Sequence, residues 1–332
     1  MERLGHKVVL INPRDLLPYN RYISPWIHHT GALFLEGLIG RKLLASLPSI
    51  SFDLVWIEGG ELTGPALIEE LKSRYGCVIS YNHDDPYGKR DGRKWRLYLK
   101  SVPHYSLITV VRDENIEEAY AAGAKDVLRL NRSADEVAHA PWPLTDEDRA
   151  KWSSEVLFVG TWMPERGPFM ARLIELGVPL ALHGHAWQKA KEWPVLKPFW
   201  RSPGLYNDES YAKAIQCAKV TLGLLSKGNR DAVTTRSFEV PYLGGVLCAE
   251  RTEEHRRLYT ENVEAAFWST PEECAGKCNQ LLQNEAWRAA IAKQGRARCI
   301  ANGTTHQQVL TKTLNRALSL RDTNMARIEV AS

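Results

Sequence analysis

The sequence predicts an α/β protein of two domains, each built on a parallel β-sheet. A helix-like segment that ends at glycine and precedes a short apolar strand recurs along the chain, as in ALIEELKSRYG–CVISY and FMARLIELG–VPLALHG. Glycine is common just past a helix end because it adopts the left-handed conformation at little cost. Near-continuous apolar strands that alternate with helices indicate parallel strands buried on both faces. The length of 332 residues fits two domains of about 150 residues each.

A linker rich in proline and charge separates the two sets of strands. Pro141 and Pro143 exclude a continuous helix or a central strand there. We therefore expect one domain over 1–152, a second over 153–303, and a C-terminal helix and tail over 304–332. The predicted strands are 7–11, 53–57, 77–82, 106–111 and 126–130, then 155–160, 179–183, 220–225, 245–249 and 264–268. The predicted helices are 34–46, 65–74, 114–122, 166–176, 208–217, 235–243, 271–284, 285–300 and 304–320. Thr270 and Glu273 form the pattern of a capping box at the start of the helix from 271.

Composition narrows the class of protein. Hydrophobic residues make up 44% and charged residues 25%, as in soluble globular proteins, which excludes disordered, collagen-like and coiled-coil chains. The net charge of +4 suits an anionic small ligand but lacks the dense basic face of a nucleic-acid binder. We see no signal peptide and no apolar run of about 20 residues, so we expect a cytoplasmic protein without a membrane span.

The six cysteines are scattered, and we interpret them as free thiols in a reducing compartment. Cys274 and Cys278 lie one helical turn apart. Along the sequence no second cysteine or histidine pair completes a metal set. The sequence therefore predicts no metal site and no bound cofactor.

The loop of residues 227–239 follows a predicted strand and is rich in polar groups. Ligands of parallel α/β sheets bind beyond the carboxyl ends of the strands, so this loop is a candidate anion site. Either Thr234 or Thr235 is placed to cap the following helix, whose free N–H groups and dipole favour a phosphate. Arg236, or Lys227 at the strand end, is placed to neutralise a diphosphate, and Glu239 to accept two ribose hydroxyls. The alternative is a capped surface helix with solvated charges.

A second strand end lies at Gly160, before a helix that begins near Arg166. Glycine lets a ligand or a facing domain approach the backbone closely. An arginine at a helix start gains nothing from the dipole, so Arg166 is a candidate anion ligand. A single glycine such as Gly160 is weak evidence for a binding site.

In the first half, strand 77–82 runs into His83, Asp84, Asp85 and a proline. Crowded carboxylates can have raised pKa values, and a carboxylate can orient a histidine as a base. A structural turn before proline explains one aspartate but not the whole cluster. If the cluster is only structural, the base must be sought at Glu58, His28 or His29.

Taken together, these segments resemble the CgeB-like, spore-maturation glycosyltransferases of the GT-B fold. The likeness lies in VISYNHDDP and HYSLITVVRDENIEEAYAAGAKDVLRL, then in VLFVGTWMPERGPFMARLIELG, YAKAIQCAKVTLGLL and RSFEVPYLGGVLCAERTEEHRRLY. It implies two Rossmann-like domains facing across a cleft, and a last helix that crosses back to the first domain. It also implies a nucleotide-sugar donor in the C-terminal domain, an acceptor in the N-terminal domain, and no required metal.

Related retaining enzymes place two acids, seven residues apart, on the donor. Here Glu239 matches the acid at the ribose, and Asp231 stands where the family has a glutamate at the sugar. The diphosphate ligands that the resemblance implies are Arg166 and Lys227, with Arg236 nearby. The Asn-His pair before Asp84 departs from the family pattern. The implied donor-binding residues are thus Gly160, Arg166, Lys227, Asp231, Thr234, Thr235, Arg236 and Glu239.

The expected function is metal-independent transfer of a sugar from a nucleoside-diphosphate sugar to an acceptor nucleophile. The catalytic candidates are His83, Asp84 and Asp85. The acceptor, a glycan, protein or small molecule, is left open. The alternatives are a nucleotide-sugar epimerase of the same fold and a non-catalytic nucleotide-sugar-binding protein. A transferase acting on DNA is disfavoured by the modest charge.

Overall fold

The computed structural model describes residues 1–17 and 22–331 of the chain. They divide into two compact units. The first contains Met1–Asn131, the short segment Gly228–Arg230 and the C-terminal helix from Val309 onward, and the second contains Arg132–Lys227 and Asp231–Gln308. Over the described residues, no helix combines the length and the apolar character needed to cross a bilayer.

The first unit is built on a four-stranded parallel sheet in the order β1-β2-β3-β4. Its strands are β1 (Val55–Glu58), β2 (Val78–Tyr81), β3 (Leu107–Val110) and β4 (Val127–Arg129). Its helices are α1 (Ile23–Thr30), α2 (Glu36–Ser46), α3 (Pro65–Tyr75), α4 (Arg96–Ser101) and α5 (Glu114–Ala121). All residues of β2 and β3 are buried, which agrees with the near-continuous apolar runs of these segments.

The predicted strand 7–11 is wrong. The segment belongs to no sheet, and its side chains Val8, Val9 and Leu10 are exposed, with Leu10 at 90%. A run of four apolar residues shows that a segment is suited to a strand but does not specify a partner, because strand pairing depends on distant parts of the chain. The sheet of the first unit consequently begins at β1.

The second unit carries a six-stranded parallel sheet in the order β10-β9-β8-β5-β6-β7. Its strands are β5 (Ser154–Val159), β6 (Leu180–His183), β7 (Trp200–Ser202), β8 (Ala218–Gly223), β9 (Leu247–Glu250) and β10 (Ala266–Trp268). Its helices are α6 (Asp146–Trp152), α7 (Arg166–Glu175), α8 (Trp193–Leu196), α9 (Asp208–Cys217), α10 (Arg236–Tyr242), α11 (Glu253–Leu258), α12 (Pro271–Gln283) and α13 (Glu285–Ala301). The chain winds from β5 to β7 on one side and from β8 to β10 on the other, so the winding direction reverses between β5 and β8.

The second unit begins earlier than the expected boundary at 152/153. The linker is ordered by a helix, α6, whose N-cap Thr145 and Asp148 form a capping box. Asp148 also pairs with Lys213 of α9 at 2.9 Å, and Trp152 packs on the core of the second unit. These contacts attach the residues after the two prolines to the second sheet.

The C-terminal helix α14 (His306–Ala331) is longer than the predicted helix 304–320. From Val309 onward it belongs to the first unit. Ala317 and Leu320 pack with Cys77, Ile79 and Leu107 of the first sheet, because the apolar face of this part of the helix matches the buried residues around β2 and β3.

The start of α12 differs in detail from the predicted capping box. Thr270 accepts a hydrogen bond from the N–H of Glu273 at 3.1 Å, as expected. The Glu273 carboxylate, however, accepts from the N–H of Ser269 at 2.8 Å rather than from that of Thr270. It also pairs with Arg251, which draws the carboxylate away from the N-cap.

Candidate functional site

The reversal between β5 and β8 is the feature of the second unit most suited to a ligand. In open α/β sheets, ligands bind in the crevice beyond the strand ends at such a reversal. Arg166, at the first position of α7, joins the two loops that leave these strands. Its guanidinium donates to the carbonyl oxygen of Thr161 after β5 at 2.8 Å, and to those of Leu224 and Leu225 after β8 at 3.2 and 3.1 Å.

Arg166 is buried, and burial lowers the pKa of its guanidinium to about 10. Both of its Nη atoms donate to backbone carbonyls, so the side chain ties the loops together in the way that a structural arginine does. The sequence suggested instead that it would serve an anion directly. In this structure the positive charge of Arg166 lies beside the strand ends after β5 and β8, as predicted. Its hydrogen bonds, however, are made to backbone carbonyl oxygens.

Gly160 permits a close approach of backbone segments at the same place. A Cβ on Gly184, which follows β6, would lie 1.8 Å from the carbonyl oxygen of Gly160, so residue 184 must be glycine. That carbonyl oxygen also accepts a hydrogen bond from Trp187 Nε1 at 3.0 Å. A Cβ on Gly160 itself would meet the ring of Phe158 at 2.8 Å. The close approach at Gly160 is therefore made by the protein's own backbone.

The loop after β8 is held by two residues at the end of β9 and the start of α11. Glu250 accepts a hydrogen bond from the N–H of Leu225 at 2.9 Å. His255 lies between the carbonyl oxygen of Glu250 and Ser237 Oγ, both at 2.7 Å. Ser237 Oγ accepts in turn from the N–H of Thr234 at 3.2 Å. Burial lowers the pKa of His255 to about 4, so this chain of hydrogen bonds contains a neutral imidazole.

The start of α10 differs from the predicted threonine cap. Thr235 is the N-cap residue, but its side chain makes no capping hydrogen bond. Among the residues that the structure describes, no group accepts a hydrogen bond from the N–H of Thr235 or Arg236. Two backbone donors at a helix start are thus left for another acceptor, although α10 has only seven residues and contributes a correspondingly small dipole.

Glu239 lies in a buried polar cluster on α10. Tyr211 of α9 donates its phenolic hydrogen to Glu239 Oε2, and His139 Nε2 lies 3.6 Å from Glu239 Oε1. The His139 ring accepts from the N–H of Asp135 through Nδ1 at 2.9 Å, which leaves Nε2 as the hydrogen donor. Burial, with the carboxylate of Glu239, raises the pKa of Tyr211 well above its usual value. Glu239 therefore presents an oriented carboxylate with small exposure.

The other predicted donor residues surround this cluster in different environments. Arg236 stacks on the ring of Tyr211 and donates to the hydroxyl of Thr235 at 3.1 Å. Asp231 pairs with Arg132 at 3.0 Å, so it is held by a cation rather than presented alone. The side chain of Lys227 is exposed. The structure gives no site geometry that unites all eight residues, but it places Gly160, Arg166 and the loop from Leu224 at one end of the sheet.

In the first unit, Asp85 is locked into a network. Arg230 donates to both of its carboxylate oxygens at 2.7 Å, and Asn115 donates to Oδ1 at 3.0 Å. Arg230 also pairs with Glu118 at 2.9 Å. Burial raises the pKa of Asp85, but the hydrogen bonds from Arg230 and Asn115 outweigh it and lower the pKa below the usual value. A carboxylate held in this way is a poor proton acceptor.

Asp84 is the more open of the two acids. Its side chain is 52% exposed and lies 3.6 Å from Lys94 Nζ. Its N–H donates to Asn82 Oδ1 at 2.8 Å, in an Asx turn. The ring of His83 lies against Tyr81, with centroids 4.8 Å apart, and the carbonyl oxygens of His83 and Asp84 accept from Arg112.

A cavity of about 520 Å³ lies beside Lys94 in the first unit. Cavities of this size suit small organic ligands. Glu61 pairs with Arg14 and lies 3.7 Å from Lys94, which also reaches Asp84. The residues that line the cavity are Arg14, Ser24, Pro25, Ile27, His28, His29, Glu61 and Lys94. Two of the alternative bases, His28 and His29, thus line a cavity, whereas Glu58 is exposed at the end of β1.

Several residues of these clusters were not predicted from the sequence. Each of these residues contacts a partner that is distant along the chain, and they are Tyr211, His139, Glu250 and His255. No local pattern connects them with the loop of residues 227–239. The cue available in the sequence was the position of Glu250 at the end of a predicted strand.

Residues 166–315, somewhat less than half of the chain, match the model of the glycosyl transferase-like family. No curated protein sequence matches the chain. Solved structures that resemble it include sucrose-phosphate synthase from Thermosynechococcus elongatus, with a TM-score of 0.65 and 12% identity over 85% of this chain and 78% of that one. HepE of Anabaena, solved with UDP and glucose, has a TM-score of 0.59 and 12% identity over 90% and 83% of the two chains. Trehalose 6-phosphate synthase from Burkholderia multivorans has a TM-score of 0.57 and 15% identity over 96% and 80%. The likeness confirms the predicted GT-B fold of two Rossmann-like, parallel-sheet domains.

Proposed function

We propose that the protein transfers a sugar from a nucleoside-diphosphate sugar to an acceptor nucleophile. The observation that carries the proposal is the reversal between β5 and β8, where Arg166 joins two glycine-containing strand ends. The family match over residues 166–315 covers this arginine and the loop of residues 227–239. The UDP and glucose bound by HepE support a nucleotide-sugar donor here. We further assign the chain to the CgeB-like branch, on the sequence segments given above.

In this proposal the second unit binds the donor. The diphosphate accepts hydrogen bonds from the N–H groups of Thr235 and Arg236, with Arg236 and Lys227 supplying positive charge. Glu239, oriented by Tyr211, accepts the ribose hydroxyls, and Asp231 contacts the sugar. Arg166 and Gly160 act by positioning the loops, and Thr234 by its hydrogen bond to Ser237. Fixed donors of this kind stabilise the charge that builds on the leaving diphosphate.

The reaction is proposed to need no metal ion. Over residues 153–303 no two aspartates have the D-x-D spacing typical of metal–diphosphate sites. Asp146 and Asp148 have that spacing and belong to the second unit. Asp148, however, caps α6 and pairs with Lys213, so a helix cap explains this pair of acids.

The first unit is proposed to hold the acceptor in the cavity beside Lys94, with Asp84 as general base. The acceptor oxygen forms a bond to the anomeric carbon of the sugar, and its proton passes to Asp84. The bond from that carbon to the diphosphate oxygen breaks, and the diphosphate keeps the electron pair. Asp85 positions the turn through Arg230, and His83 packs beside Tyr81. We place the reaction in the cytoplasm, where nucleotide sugars are available and where six free thiols stay reduced.

A thermal-shift screen with UDP-, GDP- and dTDP-sugars tests the donor. A ligand at 100 times its dissociation constant adds about 2.7 kcal/mol to stability. At 2–4 °C per kcal/mol for a domain of ordinary size, the expected rise in Tm is about 5–10 °C. The free sugars serve as controls and should give no shift. If none of the three nucleotide sugars raises the Tm at millimolar concentration, the proposed donor is wrong.

A further inference from the structure

Three of the six cysteines meet in the hydrophobic core of the second unit. Cys248 lies on β9, and Cys274 and Cys278 lie one turn apart on α12. All three are fully buried. Their sulfur atoms lie within 4.8 Å of one another. The spacing of Cys274 and Cys278 places two thiols on one face of the helix. The third thiol comes from a strand, and the sequence alone does not show that it lies beside the other two.

These thiols differ from the cysteines elsewhere in the chain. Cys77 and Cys299 each donate to a backbone carbonyl oxygen at 3.5 Å. Among the described residues, no carbonyl accepts a hydrogen bond from the three clustered thiols; their sulfur atoms interact with one another instead.

The spacing is close to that of a metal–thiolate centre. With a metal–sulfur bond of about 2.3 Å, a trigonal metal holds its sulfur ligands about 4.0 Å apart. The observed upper limit of 4.8 Å requires the three side chains to close by less than about 1 Å. Rotation of a cysteine side chain by a modest angle covers such a movement without a change in the backbone.

We propose that Cys248, Cys274 and Cys278 form a three-sulfur site for a soft, thiophilic metal ion of the Cu(I) class. Soft thiolate ligands select Cu(I), zinc and iron–sulfur clusters. Structural zinc sites are almost always four-coordinate. Among the described residues, no fourth histidine, cysteine or carboxylate joins this group. Burial of all three residues also excludes bulk water as an easy fourth ligand, so a three-coordinate ion fits better than zinc.

Binding changes the protonation of the cluster in a defined way. Each sulfur that binds the ion as a thiolate releases one proton to the buffer, a sulfur that binds as a neutral thiol keeps its proton, and the copper stays in the +1 state. No oxidant or reductant is consumed. A buried centre with two thiolates and one thiol has a net charge of −1, and one with three thiolates has −2. The smaller charge costs less to bury, so release of two protons per ion is expected.

The test is anaerobic titration of the full, reduced, metal-free chain with Cu(I) buffered by bicinchoninate. We expect one equivalent of Cu(I) to move from the chelator to the protein, with new near-ultraviolet absorption from thiolate-to-copper charge transfer. Cys248→Val and Cys274→Val should each weaken Cu(I) binding at least about 100-fold, more than the 10–100-fold typical of residues that only support a ligand. Valine keeps the apolar volume, and circular dichroism checks that each variant is folded.

Cys77→Val and Cys299→Val are the matched controls, since both replace buried thiols outside the cluster. They should bind Cu(I) as the unmodified chain does. If the chain takes up no Cu(I), or if the Cys248→Val and Cys274→Val variants bind it normally, the site does not exist. Tighter binding of Zn(II) than of Cu(I) would overturn the three-coordinate assignment. None of these outcomes depends on the sugar-transfer reaction.

Discussion

Arg166 should contribute strongly to the stability of the second unit. Arg166→Ala removes the donor for the carbonyl oxygens of Leu224 and Leu225, whose hydrogen bonds are buried, and for that of Thr161, whose hydrogen bond is part-buried. A buried acceptor left unpaired costs about 1–3 kcal/mol. Two such acceptors predict a loss of about 2–6 kcal/mol, and the part-buried one adds less.

The assay is thermal or urea unfolding of purified variants. At 2–4 °C per kcal/mol, Arg166→Ala should lower the Tm by about 4–24 °C. Arg166→Lys should recover part of the loss, because an ammonium group replaces some of the hydrogen bonds. Arg172→Ala is the matched control on the same helix. Its partners, Glu175 and Glu272, are exposed, and exposed ion pairs contribute at most about 1 kcal/mol. A Tm for Arg166→Ala within about 2 °C of the original would refute the assigned role.

The remaining predictions concern the donor, the base, the metal and pH. Glu239→Ala should weaken nucleoside-diphosphate binding by about 1.5–3 kcal/mol in calorimetry. Glu264→Ala, which replaces a similarly buried glutamate of the same unit, should leave this binding unchanged. Equal affinities of the two variants would count against the ribose contact. Asp84→Asn should lower turnover by about 10²–10⁴-fold with donor affinity unchanged, and a near-normal rate in this folded variant would move the base to His28, His29 or Glu58. Asp85→Asn should instead lower the Tm, because it breaks the bidentate pair with Arg230. Turnover should persist in EDTA, and a loss that Mg²⁺ or Mn²⁺ restores would contradict a metal-independent reaction. The pKa of His255 is about 4 in the folded chain and about 6.5 in the unfolded chain. The free energy of unfolding should therefore fall by about 3 kcal/mol as the pH falls from 6.5 to 4, because the unfolded chain takes up the proton first. Unfolding curves of His255→Gln should show a smaller fall in this free energy across the same pH range.

The sequence predicted much of the fold because the signals are local. Apolar runs identified every strand from β1 to β10 except the short β7. Helix ends at glycine and a threonine cap at 270 placed α12 closely. The failures involve distant parts of the chain. Nothing in residues 7–11 shows whether a neighbouring strand is available, and nothing near Pro141 shows that Trp152 has a core to join.

The candidate site was predictable only in part. Strand-end logic identified Gly160, Arg166 and the loop of residues 227–239, since chain order places such loops at one edge of the sheet. The partners of each side chain depend on packing. Asp84 and Asp85 are adjacent and chemically alike, yet Arg230, from a distant segment, holds only one of them. The contact of Cys248 with Cys274 and Cys278 likewise depends on packing between segments that are distant along the chain.

Product formation by the full chain tests the central claim most directly. The nucleotide sugar with the largest thermal shift is incubated with a panel of acceptors in EDTA, and the products are quantified by mass spectrometry. The account predicts equal amounts of nucleoside diphosphate and glycosylated acceptor, and little sugar release without an acceptor. Epimerised nucleotide sugar formed without any acceptor, or tight donor binding with neither hydrolysis nor transfer across the panel, would contradict it.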